Sequence, residues 1–149
     1  MASLTNNINI DWQDSLLWRK ARYNTLWCLI GCSIGDFGTI AFFQYSGINW
    51  PVLSIMVLAI INGLLTSILL ETFILMRELT FKKALNTAIG MSLISMVSME
   101  IAMNSVDVFL TGGAILNWWI IPLMLFAGYV TPLPYNYWRL KVLNKSCCG

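Results

Sequence analysis

Four carboxylic acids lie inside segments that are otherwise apolar: Asp36, Glu71, Glu100 and Asp107. The central parts of these segments contain no lysine, arginine or histidine. An acid at the centre of a membrane helix costs roughly 2.5–3.5 kcal/mol on insertion scales. A positive charge is therefore expected to neutralise these side chains. A proton can do this, because burial disfavours the charged carboxylate, and a bound metal ion can do it as well.

The acids are spaced so that a helix would align them. Met96, Glu100, Asn104 and Asp107 follow one another at i, i+4, i+8 and i+11. Residues at these intervals share one face of an α-helix. The sequence therefore predicts that a single polar stripe on this helix faces the interior.

Depth along the predicted helices brings further polar residues to the same level. At 1.5 Å per residue, Asp36, Asn62 and Glu100 lie within about 5 Å of one level when counted from the nearest basic residue. Glu71 lies closer to the basic edge and is the candidate exit toward water. We predict a cation-binding or proton-relay seam formed by Asp36, Asn62, Glu71, Glu100, Asn104 and Asp107. The alternative for the amides is that each only links two helices by a hydrogen bond.

Sulfur side chains flank the predicted seam. Cys32 precedes Asp36 by one helical turn, and Met96, Met99 and Met103 surround Glu100 on the same helix. Thiol and thioether sulfur favour Cu(I), whereas carboxylate and carbonyl oxygen favour harder ions. The cofactor is therefore either absent or a metal ion of unspecified type. Methionine also fills hydrophobic cores without binding metal.

Two prolines interrupt the last apolar segment. Pro132 and Pro134 have no N–H, so the carbonyls of Gly128 and Val130 lose their usual helical donors. Freed carbonyls are good cation ligands. The alternative is a kink at which water or Thr131 satisfies them.

The elements that must position these residues are apolar helices. The chain has 149 residues, of which 58% are hydrophobic and 11% charged, with mean hydropathy +0.70. A soluble domain has about 25% charged residues. Four apolar segments, near 23–44, 51–76, 84–110 and 118–138, are each long enough to cross a bilayer. We predict an all-α, four-transmembrane-helix bundle over residues 23–141. Residues 1–22 form either an interfacial helix capped by Asp11 or a solvated tail, and residues 142–149 form a second tail.

The basic residues predict the orientation. All nine lie in the N-terminal segment, the second loop or the C-terminal segment, and they are Arg19, Lys20, Arg22, Arg77, Lys82, Lys83, Arg139, Lys141 and Lys145. Basic loops stay on the cytoplasmic side. We therefore expect a multi-pass protein of the cell membrane with both termini in the cytoplasm.

Several function classes are disfavoured. The chain has no histidine, which removes histidine-based catalytic triads, and no basic cluster typical of nucleic-acid binding. Gly35–Asp36 and a Pro-Leu-Pro string resemble parts of intramembrane aspartyl proteases. However, Ser33 replaces the first glycine of their signature, and Val106 precedes Asp107 where a tyrosine is expected. We expect no enzymatic activity.

Two functional hypotheses stay open. In the first, the protein binds or conducts a cation at an acidic site inside the bundle. In the second, it is a non-catalytic scaffold, assembly factor or subunit whose carboxyls are permanently protonated. The lipid bilayer is the expected partner in both. Gly31 and Gly35 could pack within the bundle or support a homo-oligomer or another membrane protein.

Three strings resemble a known family. They are "GDFGTIAFF" at 35–43, "GMSLISMVSMEIAMNSVD" at 90–107 and "WWIIPLMLFAGYVTPLPYNYWRLK" at 118–141. Together they resemble the bacterial domain-of-unknown-function family numbered 4396, from about residue 24 to the C-terminus. The resemblance implies a small four-helix membrane protein. Some members end in a Cys-His pair, which Cys147 and Cys148 replace here. The family supplies no activity, so function must be argued from the residues.

Overall fold

The computed structural model describes residues 12–143. They form five helices: α1 (Ser15–Ser46), α2 (Val52–Leu75), α3 (Phe81–Thr111), α4 (Ile121–Val130) and α5 (Leu133–Leu143). No strand occurs between residues 12 and 143. The predicted all-α class is confirmed.

α1 begins earlier than the apolar pattern predicts. Asp14 is its N-cap, and its carboxylate accepts hydrogen bonds from the backbone N–H groups of Leu16 and Leu17. This satisfies two of the amides that a helix start leaves without partners. Residues 15–22 are thus the first turns of α1 and not a separate interfacial helix. Asp11, the predicted cap, lies outside the described residues.

Three helical stretches are long and apolar enough to cross a membrane: Ser15–Ser46, Val52–Leu75 and Ser92–Thr111. This agrees with a membrane protein. The fourth predicted span is instead divided, because α4 ends at Val130 and α5 begins at Leu133. Pro132 and Pro134 cannot donate the hydrogen bonds that would join the two helices. Neither short helix has the length of a span by itself.

α1 and α2 form a tightly packed antiparallel pair. A side chain at Gly31 would overlap Ser67, and one at Gly35 would overlap the backbone of Asn62. The hydroxyl of Thr66 donates to the carbonyl of Gly31 at 2.6 Å across this contact. Small residues therefore let the two backbones approach closely enough for hydrogen bonds between helices.

α5 packs against the first half of α1. The Asn136 side-chain amide donates to Thr25 Oγ1 at 2.7 Å. The ring of the adjacent residue, Tyr137, stacks on Trp18 with 4.4 Å between centroids and on Trp12 with 5.1 Å. α4 packs on α3 and on the middle of α1. The divided segment therefore continues along α1 in the antiparallel direction.

The interior is unusually polar, whereas the outer surface is apolar. Buried polar side chains include all four predicted intrahelical acids. Large apolar side chains such as Leu53, Phe73, Ile94 and Phe126 are more than 60% exposed. Polar side chains inside and apolar side chains outside are the reverse of the arrangement in a water-soluble protein. This arrangement suits a surface that contacts lipid.

Candidate acidic centre

α1 and α3 lie side by side with a constant register. The Cys32 thiol lies beside the Glu100 carboxyl, and Asp36 Oδ1 accepts a 3.2 Å hydrogen bond from the side-chain amide of Asn104. Both pairs are 68 residues apart in sequence, so the two helices run parallel and meet along their buried stripes. The predicted convergence of Asp36, Glu100 and Asn104 is what the structure contains, and we call these three residues the acidic centre.

The acidic centre is removed from solvent. Asp36 and Glu100 are 0% exposed and Asn104 is 2% exposed. Asn104 also donates to the backbone carbonyl of Glu100 at 3.0 Å, one turn earlier on α3. The amide is therefore held by its own helix and presented to Asp36.

Several oxygen atoms of the centre have no hydrogen-bond partner among residues 12–143. They are both carboxyl oxygens of Glu100, Oδ2 of Asp36 and Oδ1 of Asn104. The two carboxyls are near enough to interact electrostatically. A buried polar atom without a partner costs about 1–3 kcal/mol, and more when it is charged. The centre thus places four acceptor oxygens without a hydrogen bond in the buried space between α1 and α3, beside the Cys32 thiol.

Gly63 of α2 completes this space. A Cβ atom at Gly63 would overlap Glu100 Oε1 and would lie 3.1 Å from the carbonyl oxygen of Cys32. The Glu100 carboxyl therefore rests directly on the α2 backbone. Three helices enclose the centre, and only a glycine fits at this point on α2.

Glu71 occupies a second position, nearer the basic end. It is fully buried, and its Oε1 accepts a hydrogen bond from the Cys28 thiol. Cys28 precedes Cys32 by one turn of α1, so a thiol–carboxyl pair lies one turn from the acidic centre. The predicted exit to water at Glu71 is a buried position in the structure.

Asn62 lies apart from the acidic centre. It is half-buried, and its amide donates to Thr39 Oγ1 at 2.8 Å. Together they border a groove of about 500 Å³ between α1 and α2, which Phe42 and Leu65 also line. Asn62 therefore links α2 to α1 by a hydrogen bond, which is the alternative role stated above for the amides.

Asp107 organises the end of α3. Its Oδ2 accepts from the backbone N–H of Ile115 at 3.1 Å, and its Oδ1 accepts from Thr111 Oγ1 at 3.1 Å. It still interacts electrostatically with Asp36. Both of its oxygens have partners, so Asp107 differs from the acids of the centre.

The predicted sulfur ligands are all buried together. Cys32, Met96, Met99 and Met103 are 0% exposed and belong to one core cluster. No group of three or more cysteine, aspartate or glutamate side chains between residues 12 and 143 is arranged to hold a metal ion.

The two predicted helix-break carbonyls differ in environment. Gly128 is buried against α3, where a Cβ would lie 2.8 Å from Met103 Sδ. Val130 is 43% exposed on the outside of α4. Gly128 therefore borders the same core as the sulfur side chains, whereas the side chain of Val130 points away from it.

Two interior residues are not predicted by the sequence pattern. Arg139 was assigned to an aqueous segment, but it is 1% exposed. It falls on the face of α5 that contacts α1, because it follows Asn136 by three residues. Met124 was missed because it is an isolated methionine on a short helix, and it also belongs to the core cluster.

The buried base lies nearer the basic end of the bundle than the acidic centre does. Asn136 bonds Thr25, and Arg139 lies one turn further from the centre on α5. Glu100, the nearer acid of the centre, lies beside Cys32, which is seven residues and about 10 Å beyond Thr25 along α1. Arg139, which the sequence assigns to the basic C-terminal segment, is therefore an interior residue at the basic end of the bundle. Six other bases are exposed: Arg19, Lys20, Arg22, Arg77, Lys82 and Lys83.

The chain was compared with protein families, curated proteins and solved structures. No curated protein matches the chain, and no solved structure matches it either. The model of a domain of unknown function, DUF4396, matches residues 17–145, which include the helices that form the acidic centre. The chain therefore belongs to the DUF4396 family, as its three characteristic strings predicted.

Proposed function

We propose that this protein is an integral membrane protein that binds or conducts a cation, either a proton or a metal ion, at the acidic centre. One observation carries the proposal. Glu100 is fully buried, and neither of its carboxyl oxygens has a hydrogen-bond partner among the described residues. A positively charged ligand would satisfy these oxygens. It would also satisfy Asp36 Oδ2 and Asn104 Oδ1, which have no hydrogen-bond partner among the described residues either.

The electrostatics of the centre support a cation rather than an anion or a neutral ligand. The centre combines two carboxyls and the amide oxygen of Asn104, and the backbone carbonyl of Cys32 lies next to it at Gly63. All four are acceptors, and buried charges in proteins are paired or bind ions. Arg139, a buried base of α5, lies nearer the basic end of the bundle than the centre does.

The proposal includes four membrane crossings with both termini in the cytoplasm. Residues 121–143 would extend about 34 Å if α4 and α5 continue in one direction. This exceeds the ~30 Å hydrocarbon thickness. The antiparallel course of α5 along α1 supports such a crossing. The exposed bases at the start of α1 and between α2 and α3 support the orientation.

Thermal stability of the purified protein in detergent tests the proposal. A ligand that binds only the folded state raises the melting temperature. We expect one cation in a series of Cu(I), Mn(II), Zn(II), Ca(II) and pH values to do so. Asp36→Asn and Glu100→Gln should abolish that response. Glu78→Gln is the matched control, because Glu78 is an exposed acid in the loop between α2 and α3.

Two results would reject cation binding. One is a melting temperature that no cation and no pH change affects. The other is a response that Asp36→Asn and Glu100→Gln retain in full. A response to pH alone, lost in Glu100→Gln, would identify the cation as the proton.

A scaffold or subunit without ion binding is the second candidate. Much of the buried polarity links helices, as in Thr66 to Gly31 and Asn136 to Thr25. These contacts favour a structural role for buried polar side chains outside the acidic centre. Crosslinking in native membranes tests this candidate, since a scaffold should be recovered with a second copy or another membrane protein. We propose no enzymatic activity in either case.

A further inference from the structure

The largest core cluster is dominated by sulfur. It has eight buried members, and six of them are cysteine or methionine: Cys28, Cys32, Met96, Met99, Met103 and Met124. The other two are Leu29 and Ile120. Membrane-protein cores can be built from leucine, valine and glycine alone, so packing does not require this composition. We call the six side chains the sulfur cluster.

Three helices contribute to the sulfur cluster. α1 supplies two thiols one turn apart, α3 supplies three thioethers within two turns, and α4 supplies Met124. The constant register of α1 and α3 places Met96 near the level of Cys28 and Met99 near that of Cys32. Met103 Sδ faces α4 at Gly128. The sulfur side chains therefore pack in one cluster, and Cys32 joins that cluster to the acidic centre at Glu100.

We propose that the sulfur cluster binds a soft monovalent metal ion of the Cu(I) class. The inference goes beyond the proposed function, because it adds a second group of ligands, made of sulfur, to the oxygen acceptors of the acidic centre. Thiol and thioether sulfur select Cu(I) over hard ions. Each thiol that becomes a ligand releases its proton to the surrounding medium, and the thioethers bind without proton loss.

The same residues disfavour the alternative metals. Ca²⁺ takes six to eight oxygen ligands and Mg²⁺ requires an octahedron. Structural Zn²⁺ sites use four cysteine or histidine ligands. The chain has no histidine, and its described acids and cysteines do not assemble in threes. A site made of thioethers with one or two thiols fits none of these ions and suits a soft monovalent one.

Silver is the probe, because Ag(I) has the charge and softness of Cu(I) and needs no reductant. The parent protein for the test carries Cys147→Ser and Cys148→Ser, which removes the tail thiols as competing ligands. Silver nitrate is titrated in chloride-free buffer without added thiols. Equilibrium dialysis gives the stoichiometry and affinity, and X-ray absorption at the silver edge identifies the neighbouring atoms.

The decisive variant is the triple substitution Met96→Leu, Met99→Leu and Met103→Leu. Leucine replaces methionine at nearly constant volume, so packing is largely retained. We expect the parent to bind one Ag(I) per chain with sulfur neighbours, and the triple variant to bind at least tenfold more weakly. The matched control is Met56→Leu with Met76→Leu, because neither residue belongs to the sulfur cluster. The control should bind as the parent does.

Three results would contradict the sulfur site. Equal affinity in the triple variant and the control overturns it, and so does a silver ion surrounded only by oxygen or nitrogen. A cation response that depends on Glu100 while silver does not bind leaves the proposed function standing and removes this inference. If the triple variant melts well below the parent without silver, the single variants Met99→Leu and Met103→Leu replace it. Each must then weaken silver binding more than Met56→Leu does.

Discussion

At the scale of single residues, the acidic centre depends on a missing side chain. Gly63 leaves the space into which the Glu100 carboxyl fits, between α2 and the carbonyl of Cys32. Neither residue is informative alone, since a mid-helix glycine and a buried acid are both unfavourable choices. Their contact explains both, because an α2 side chain at this position would expel the acid from the interior.

This contact predicts strong coupling between the two positions. Gly63→Ala should destabilise the fold by about 1–3 kcal/mol, because the new methyl group overlaps the Glu100 carboxyl. In the Glu100→Ala background, the same change should cost at least about 1 kcal/mol less, since the overlapping atoms are gone. Unfolding in detergent of the four proteins measures the difference. Additive effects, within about 0.5 kcal/mol, would mean that the carboxyl moves aside without cost.

Helical spacing predicts part of the centre and fails for the rest. It predicts that Asp36, Glu100 and Asn104 converge, because a period of 3.6 residues fixes which side chains share a face. It does not distinguish an interior face from a flank, so Asn62 was assigned to the seam although it bonds Thr39 beside the groove. The partners of Asp107 are backbone groups of a loop, and no side-chain pattern reveals these.

At the scale of elements, the close approach of α1 and α2 can be tested with two glycines one turn apart. Gly35 contacts the backbone of Asn62, which cannot move aside, whereas a Cβ at Gly38 would meet nothing within 4 Å. Gly35→Ala should separate the helices and cost about 1–3 kcal/mol. Gly38→Ala should be neutral or stabilise by up to about 1 kcal/mol, because alanine restricts the unfolded chain. Equal unfolding free energies for both variants would contradict the close contact.

The connection after α3 gives a prediction for Asp107. Asp107→Ala removes the acceptor of the Ile115 amide, so that amide should exchange its hydrogen at least tenfold faster. Asp107→Asn retains one side-chain oxygen and should have a smaller effect. Both variants should keep the cation response of the parent, since Asp107 lies outside the acidic centre. Loss of that response in Asp107→Asn would place Asp107 in the ion site instead.

The elements themselves were largely predictable. The long apolar segments predicted α1, α2 and α3. The two prolines predicted that the last apolar segment is interrupted, and the interruption separates α4 from α5. The burial of Arg139 was not predictable, because a base near a helix end normally reaches water. Only the packing of α5 on α1 shows that its side chain is covered. The early start of α1 was not predicted, although Asp14, its N-cap, belongs to a residue type that is common at this position.

At the scale of the whole molecule, charge and polarity are distributed by level. One end carries the exposed bases of α1 and of the α2–α3 connection. The opposite end contains the α1–α2 loop and the α3–α4 loop, which Gln44 links through a 3.0 Å hydrogen bond from the Leu116 amide. Between them lie the acidic centre and the sulfur cluster. A cation crossing the bundle would meet these two groups of ligands at mid-depth.

This distribution predicts which loops face which side of the membrane. We expect Ile48→Cys, in the α1–α2 loop, to react with a membrane-impermeant maleimide in intact cells. Glu78→Cys, in the α2–α3 connection, should react only after the membrane is permeabilised. Both positions are exposed, and both variants are made with Cys147→Ser and Cys148→Ser so that the tail does not react. The opposite pattern would reverse the orientation.

The native tail cysteines then decide the number of crossings. With four crossings, Cys147 and Cys148 lie on the same side as Glu78 and stay unlabelled until permeabilisation. With three crossings, the segment containing α4 and α5 returns to the outer side, and the tail is labelled in intact cells. The three long helices alone would favour three crossings. We expect four crossings, because α5 runs along the first half of α1 toward the end that carries the bases. If this segment stayed on the outer side, Asn136 could not reach Thr25.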